Sequence, residues 1–161
     1  GLNPIFFYHF KNFKISLRVS NNQLILYIPY TQYIYIYYMI QNFFKVLKQY
    51  RKFKTRSTIK EFWLFHLISV VIIFILIIID SSVNFKILGN IGVLTTIYSI
   101  FIFIPSLSVS VRRLHDVGKS GWTILFIIIP IIGIIWLLAL FCRDTMPERN
   151  KWGKNPTLRV F

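Results

Sequence analysis

Residues 112–122 read Arg-Arg-Leu-His-Asp-Val-Gly-Lys-Ser-Gly-Trp and separate two long apolar runs. Dense charge between segments of membrane length is typical of a loop at a bilayer surface, where arginines lie at the level of the lipid headgroups. Gly118 and Gly121 indicate a tight turn within this loop. We therefore predict that the chain crosses a membrane and that residues 112–122 connect two of its helices.

The polar residues of this loop do not form a recognisable catalytic or metal site. The run 118–120 is similar to the end of a phosphate-binding P-loop, but Arg113 stands where that motif needs a glycine, and the following run is apolar. His115 and Asp116 are adjacent, so on a helix they point about 100° apart and do not face each other as a base and its orienting group. The sequence offers no second group of residues with the spacing of metal ligands. We predict a protein that is not an enzyme and that binds no cofactor or metal.

The apolar runs predict an all-α membrane protein with about three transmembrane helices, preceded by a short basic amphipathic helix. The predicted membrane helices cover about residues 62–79, 87–111 and 122–142, followed by a basic tail at 143–161. The shortest run is ~27 Å long at ~1.5 Å per residue, which suits a hydrocarbon core of ~30 Å. Pro105 is expected to kink the second helix, and Pro130 and Gly133 interrupt the third run.

The composition supports a membrane location. Hydrophobic residues make up 55 % of the chain, and only five of its 161 residues are acidic, which leaves a net charge of +14. The basic residues lie mainly at the ends of the apolar runs, where anionic headgroups attract them. We therefore expect membrane lipids rather than nucleic acid as the partner of these charges.

The amino-terminal residues differ in character from the rest. Residues 1–38 contain no acidic residue and hold seven of the nine tyrosines. We interpret them as a non-native or disordered upstream extension and expect the native chain to begin at Met39, so that 39–161 form a single membrane domain. The alternation in residues 33–37 leaves an edge strand as the structural alternative.

The segment after Met39 has the pattern of an amphipathic helix. Apolar residues recur at helical spacing while lysines and arginines lie on other faces, so membrane docking and packing against a neighbouring helix are both open. The apolar positions are Ile40, Phe43, Phe44 and Leu47, and the basic ones are Lys45, Lys48, Arg51 and Lys52.

Small polar residues define one face of the second apolar run. Such a face allows helices to approach closely in lipid, within the chain or in a homo-oligomer, and the alternative is a polar track for a transported solute. Its members are Gly92, Thr96, Ser99, Ser106 and Ser110.

The distribution of basic residues predicts the orientation of the helices. Seven lysines and arginines lie between Lys45 and Lys60, one lies in the first turn, and three lie in residues 112–122. The positive-inside rule places the amino end and the central loop in the cytoplasm. Three full spans would put the tail outside, although its five basic residues favour the inside. A re-entrant hairpin broken at 130–133 resolves the conflict, but its halves are short, and the sequence favours three spans.

Four motifs resemble a known family. The central motif at 112–122, the opening Lys45-Val-Leu-Lys-x-Tyr50, the triplet Glu61-Phe-Trp63 and the tail Asn150-x-Trp-Gly-x-Asn-Pro156 are similar to the YhaH/YhaI-type bacterial inner-membrane proteins, domain of unknown function 805. The resemblance covers about residues 39–156. Ile59, Thr123 and residues 144–147 depart from the family pattern. It implies a small multi-pass protein of the bacterial cytoplasmic membrane and brings no established activity.

Two functional hypotheses follow. The first is a non-catalytic membrane protein whose cytoplasmic loop binds anionic lipid or an unknown membrane partner beside the amino end of the third helix. The residues proposed for this binding are Arg112, Arg113, His115, Asp116, Lys119 and Ser120. The second is a small transporter or channel component that uses the small-residue face of the second helix.

One structural contact is also predicted. Glu61 begins the first membrane helix, and Arg112 and Arg113 end the second, so in antiparallel helices they reach the same layer. We expect Glu61 to pair with Arg113, with Asp116 as the competing partner of the arginines and Arg112 as the alternative partner of Glu61.

Overall fold

The computed structural model describes residues 16–20, 23–27, 30–83 and 92–159. The chain divides into two compact units, residues 1–41 and residues 42–161. The elements, in order, are strands β1 (Ser16–Ser20) and β2 (Gln23–Tyr27), helices α1 (Tyr30–Lys48), α2 (Ile59–Val83) and α3 (Val93–Asp116), a 3-10 helix at Gly121–Ile128, helix α4 (Ile132–Cys142), and a 3-10 turn at Pro156–Arg159.

The first unit contains a β-hairpin and the beginning of α1. Strands β1 and β2 pair antiparallel, with Ser16 opposite Tyr27 and Ser20 opposite Gln23. Residues 33–37 are helical, so the edge strand considered for them is wrong. In these residues tyrosine alternates with isoleucine. Both residue types are largely apolar, so the alternation does not distinguish a buried face from a solvated one.

The second unit is an antiparallel pair of long helices, α2 and α3, with the end of α1 packed at one end. Phe43 and Val46 of α1 lie in a buried cluster with Phe62 and Phe65 of α2 and Val109 of α3. The rings of Phe43 and Phe65 stack with centroids 5.3 Å apart. The amphipathic segment therefore packs through Phe43, whereas Phe44 and Ile40 are exposed.

Helices α2 and α3 are long and apolar enough to cross a membrane. Most of their apolar side chains are exposed, for example Phe74 and Ile100 at 64 % and 71 %. A water-soluble protein of this size would bury such side chains, whereas lipid accommodates them. These two helices and the helical content of the second unit confirm an all-α membrane protein.

The ends of the long helices differ from the predicted ones. Helix α2 begins before 62 and extends past 79, while α3 begins at Val93, and the predicted start of this helix at 87 lies outside the described residues. Residues 112–116 form the last turns of α3 rather than a loop. The charged side chains of these turns are paired within the fold: Arg112 with Glu61, and Asp116 with both Arg113 and Arg56.

The third apolar run does not form one helix, so the prediction of a single helix over about 122–142 is wrong. It divides into the 3-10 helix Gly121–Ile128 and helix α4, separated by a turn at 129–131. Pro130 has no backbone N–H and interrupts helical hydrogen bonding. Ile131 adopts a positive φ of 64° at the turn.

The far end of the α2–α3 pair is closed by a carboxylate. Asp80 of α2 is buried and accepts hydrogen bonds from the backbone N–H groups of Leu94 and Thr95, at 3.2 and 2.9 Å, and from the Thr95 hydroxyl at 2.8 Å. These are unpaired donors of the first turn of α3, so Asp80 caps this helix from its neighbour. A Cβ on Gly92 would lie 2.1 Å from Asp80 Oδ2, which explains the glycine.

We expect both Asp80→Ala and Gly92→Ala to lower the melting temperature of the detergent-solubilised protein. The first removes the acceptor of three hydrogen bonds, and the second displaces the same carboxylate. Ser82→Ala is the control, because its exposed hydroxyl donates to the Ile78 carbonyl of its own helix. Equal melting temperatures for Asp80→Ala and Ser82→Ala would contradict this assignment.

Candidate functional site

The end of the helix pair opposite to Asp80 contains a buried ion-pair network. We call this region the polar end; it comprises residues 45–61, 112–121 and 143–157. The charged members of the network are Lys45, Arg56, Glu61, Arg112, Arg113 and Asp116. All of them except Lys45 are buried.

Glu61 pairs with Arg112. Its Oε1 accepts a hydrogen bond from Arg112 Nη1 at 3.0 Å, and its Oε2 lies 3.2 Å from Lys45 Nζ. The same Arg112 nitrogen also donates to the side-chain oxygen of Gln49 at 2.6 Å. This arginine of α3 therefore contacts α2 and the residue that follows the end of α1.

The predicted pair of Glu61 with Arg113 is wrong. Arg113 is one residue further along α3, which rotates its side chain by about 100° around the helix. It points away from α2 and bonds to Asp116 Oδ2 at 2.5 Å through Nη1. Asp116, predicted as the competitor, is thus the partner of Arg113, and Glu61 has the alternative partner Arg112.

Asp116 is shared between two arginines. Its second oxygen, Oδ1, accepts a hydrogen bond from Arg56 Nε at 2.9 Å. The Asp116, Arg56 and Arg113 side chains are each at most 1 % exposed. In such dry surroundings a carboxylate between two guanidinium groups is stabilised, whereas any one of the three charges alone would be costly.

Arg56 also holds the carboxyl-terminal tail. Its Nη2 donates to the Met146 carbonyl at 2.6 Å, and its Nη1 donates to the carbonyls of Glu148 and Gly153 at 2.8 and 3.2 Å. Asn150 Nδ2 adds a bond to the His115 carbonyl at 2.8 Å. The tail is therefore folded over the end of α3 and lies at the polar end.

An aromatic stack completes the contact between the tail and α3. The imidazole of His115 lies parallel to the Trp152 ring, with centroids 4.2 Å apart and an interplanar angle of 11°. Lys151 Nζ lies 4.3 Å from the centroid of the same Trp152 ring. This arrangement gives His115 a packing role in the fold.

The six residues predicted to bind a lipid or partner fall into two groups. Arg112, Arg113, His115 and Asp116 are buried, whereas Lys119 and Ser120 are exposed. The structure therefore brings the first four together as internal contacts and leaves only the last two at the surface.

The five residues of the predicted small-residue face also differ in their surroundings. Gly92 makes the close approach to Asp80, and Ser110 is buried, but Ser99 is exposed. The hydroxyls of Thr96, Ser99 and Ser110 bond to the Gly92, Thr95 and Ser106 carbonyls of the same chain segment. Use of this face in contacts between chains stays a prediction.

Sequence reasoning missed Arg56 and Gln49 as members of the network. Arg56 is one of seven basic residues within 45–60, and nothing in its neighbourhood distinguishes it from the exposed ones. The sequence holds one signal for such a pair. The chain has only five carboxylates, and one that is buried, as Asp116 is, requires a cation beside it.

The network has the chemistry of a structural element. Glu61 and Asp116 are both buried and both paired with guanidinium groups of the fold. Among residues 30–83 and 92–159, no three His, Cys, Asp or Glu side chains are grouped as metal ligands would be.

Comparison with known proteins agrees with a membrane location. Residues 50–154 match a family described as a protein of unknown function, DUF805. The chain is similar to the inner membrane protein YhaH of Escherichia coli (strain K12), with 38 % identity over 116 residues, 72 % of this chain and 96 % of that protein. It is 36 % identical over 118 residues to the inner membrane protein YhaI of the same strain, covering 73 % and 96 % of the two chains. No solved structure matches the chain.

We expect Glu61→Gln to destabilise the folded protein by about 3–5 kcal/mol, because Arg112 would be left as a buried charge without a carboxylate. Adding Arg112→Met should recover a large part of the loss, since the double variant buries no unpaired charge. Thermal unfolding in detergent measures both effects.

Arg113→Met is the matched control for this cycle, because Arg113 lies beside Arg112 but pairs with Asp116. Its effect should add to that of Glu61→Gln without recovery. Recovery by Arg113→Met and none by Arg112→Met would show that Glu61 pairs with the other arginine.

We expect Arg56→Lys to release the tail, because three ammonium donors cannot replace a guanidinium that bonds to Asp116 and to three tail carbonyls. Trypsin should then cut at Arg149 and Lys151 roughly tenfold faster or more than in the wild type. Arg51→Lys, at an exposed position, should leave the cleavage rate unchanged. The idea fails if both variants are cut at the wild-type rate.

Proposed function

This chain belongs to the DUF805 family of inner-membrane proteins of unknown activity, and on that basis we propose that its polar end binds anionic lipid headgroups without catalysing a reaction. The observation that carries the proposal is the separation of charges at the polar end. At this end two of the four acidic side chains are buried in ion pairs, whereas most of the basic side chains are exposed.

The exposed charges are almost all positive. Three of the five acids, Glu61, Asp80 and Asp116, are buried, and only Asp144 and Glu148 are exposed. Eleven lysines and arginines of the described residues 42–157 are exposed. They are Lys45, Lys48, Arg51, Lys52, Lys54, Lys60, Lys119, Arg143, Arg149, Lys151 and Lys154.

The exposed cations lie at the level where headgroups are expected. They lie near the ends of α2, α3 and α4 and in the neighbouring loops. Arg56 and Arg113 hold these segments together through hydrogen bonds to carbonyls of the tail and of α4. A basic residue near a membrane surface that contains anionic lipid contributes ~1 kcal/mol of attraction. Eleven such residues on one end supply an attraction that two exposed carboxylates do not cancel.

The buried arginines serve a different purpose in this proposal. Arg112 and Arg113, considered as lipid ligands on the basis of the sequence, are 1 % and 0 % exposed and bond to carboxylates and carbonyls of the fold. Lys119 and Ser120 keep their place in the proposed surface, and the other exposed cations replace the arginines.

We further propose that the polar end faces the cytoplasm. Its exposed cations outnumber the single basic residue, Lys86, between α2 and α3, and the positive-inside rule retains such charge on the cytoplasmic side. The anionic lipids of the cytoplasmic leaflet are then the available ligands.

Transport receives less support from the described residues. A solute path through α3 would need polar groups directed away from the helix, but the hydroxyls of Thr96, Ser99 and Ser110 bond to backbone carbonyls of their own segment. No catalytic role is proposed, because the buried carboxylates of the polar end are engaged in ion pairs.

We expect phosphatidylglycerol to raise the melting temperature of the detergent-solubilised protein more than phosphatidylcholine, and high salt to reduce the difference. Combined Lys48→Gln, Lys52→Gln and Lys54→Gln substitutions should weaken phosphatidylglycerol binding by roughly fivefold per cation removed. Substituting arginine at the same three positions is the control and should preserve binding. Equal stabilisation of the glutamine and arginine variants by phosphatidylglycerol would refute the proposal.

A further inference from the structure

The divided third apolar run points to an unusual insertion in the bilayer. We propose that residues 121–142 form a re-entrant hairpin, which enters and leaves the membrane at the polar end and contacts the acyl chains of one leaflet. The inference rests on the membrane location of the family and does not depend on whether the exposed cations select anionic lipid.

Both ends of the hairpin are fixed at the polar end. At its start, Lys119 N–H donates to the Leu114 carbonyl at 2.8 Å, which folds the chain back on the last turn of α3. At its end, Arg113 Nε donates to the Phe141 carbonyl at 3.1 Å, and Arg113 Nη2 donates to the Arg143 carbonyl. One buried arginine of α3 therefore holds the end of α4 in the same layer as the start of the hairpin.

The two arms are too short to cross a bilayer. Eight residues of 3-10 helix rise ~16 Å at ~2.0 Å per residue, and the eleven residues of α4 rise ~16.5 Å at ~1.5 Å per residue. Each arm covers about half of a ~30 Å hydrocarbon core. The turn at 129–131 is then placed near the middle of the bilayer.

The arms pack against each other rather than continuing in one direction. The rings of Phe126 and Trp136, one from each arm, lie with centroids 4.8 Å apart. A Cβ on Gly133 would lie 1.8 Å from the Phe126 carbonyl oxygen, so only glycine allows this approach. Leu137 and Leu140 of α4 are buried against Leu114 and Val117.

The backbone of the turn is compatible with lipid. Ile129, Ile132 and Gly133 N–H groups donate to the Phe126, Pro130 and Ile129 carbonyls at 3.0, 2.8 and 3.1 Å. Pro130 has no N–H to satisfy. Non-helical backbone is costly in a hydrocarbon environment unless its polar groups bond internally, and this turn meets that requirement at these positions.

The surface of the hairpin is apolar and is suited to contact with acyl chains rather than with water. Residues 120–142 contain no Asp, Glu, Lys or Arg. At the tip, Ile127, Ile128, Ile131 and Ile132 are 60–74 % exposed. Four adjacent isoleucines with this exposure form an apolar surface that lipid tails cover at no cost in hydration.

Single cysteines in a Cys142→Ala background test the topology, with a membrane-impermeant maleimide applied to sealed membrane vesicles of known orientation. Lys54→Cys reports on the polar end, Arg149→Cys on the tail, Ser82→Cys on the opposite end and Ile128→Cys on the tip. All four positions are exposed in the structure. We expect Lys54→Cys and Arg149→Cys to react from the same side, Ser82→Cys from the other side, and Ile128→Cys from neither side before detergent is added.

Reaction of Arg149→Cys from the side of Ser82→Cys would overturn the proposal, because the run would then span the membrane. Reaction of Ile128→Cys from either side in sealed vesicles would also overturn it, because the tip would be in water. Trypsin treatment of wild-type vesicles provides a test without substitutions: residues 149–151 should be cleaved from the same side as residues 51–54. These outcomes are independent of the phosphatidylglycerol assay.

Discussion

The ion pairs between buried guanidinium groups and buried carboxylates determine how the second unit is assembled. Each of Arg56, Arg112 and Arg113 lies where water is largely excluded, and none is tolerable there without a carboxylate or carbonyl partner. The partners come from different segments: Glu61 from the start of α2, Asp116 from the end of α3, and backbone carbonyls from the tail. Pairing of the three arginines therefore fixes α2, α3 and the tail relative to one another at the polar end.

The long apolar helices could be predicted from the sequence, but the carboxyl-terminal end of α3 could not. Hydropathy located α2 and α3 because lipid-facing residues form uninterrupted runs. Charged residues normally mark the end of such a run, so the sequence predicts a loop at residues 112–116. They remain helical because Arg56, sixty positions from Asp116, supplies the opposite charge. No local pattern in the sequence identifies which of the seven basic residues within 45–60 pairs with Asp116.

The third apolar run shows a different limit of sequence reasoning. Pro130 and Gly133 predict an interruption of the run, but its length, 122–142, favours a single span. The proposed hairpin rests instead on the two hydrogen bonds from Arg113 to the Phe141 and Arg143 carbonyls. Every residue has a backbone carbonyl, so the sequence does not show which carbonyl accepts such a hydrogen bond. A side-chain acceptor, in contrast, can be recognised by its residue type.

The separation of charge also determines where function has to be sought in this protein. The most distinctive motif, 112–116, is the most buried part of the polar end, and its charges are neutralised within the fold. The exposed charged residues around the motif are mostly lysines and arginines, which individually have no distinguishing pattern. Stability depends on the acids and their buried arginines, while binding in our proposal depends on exposed cations, of which Lys45 and Lys151 also make contacts within the fold. The two properties can consequently change independently within the same fold.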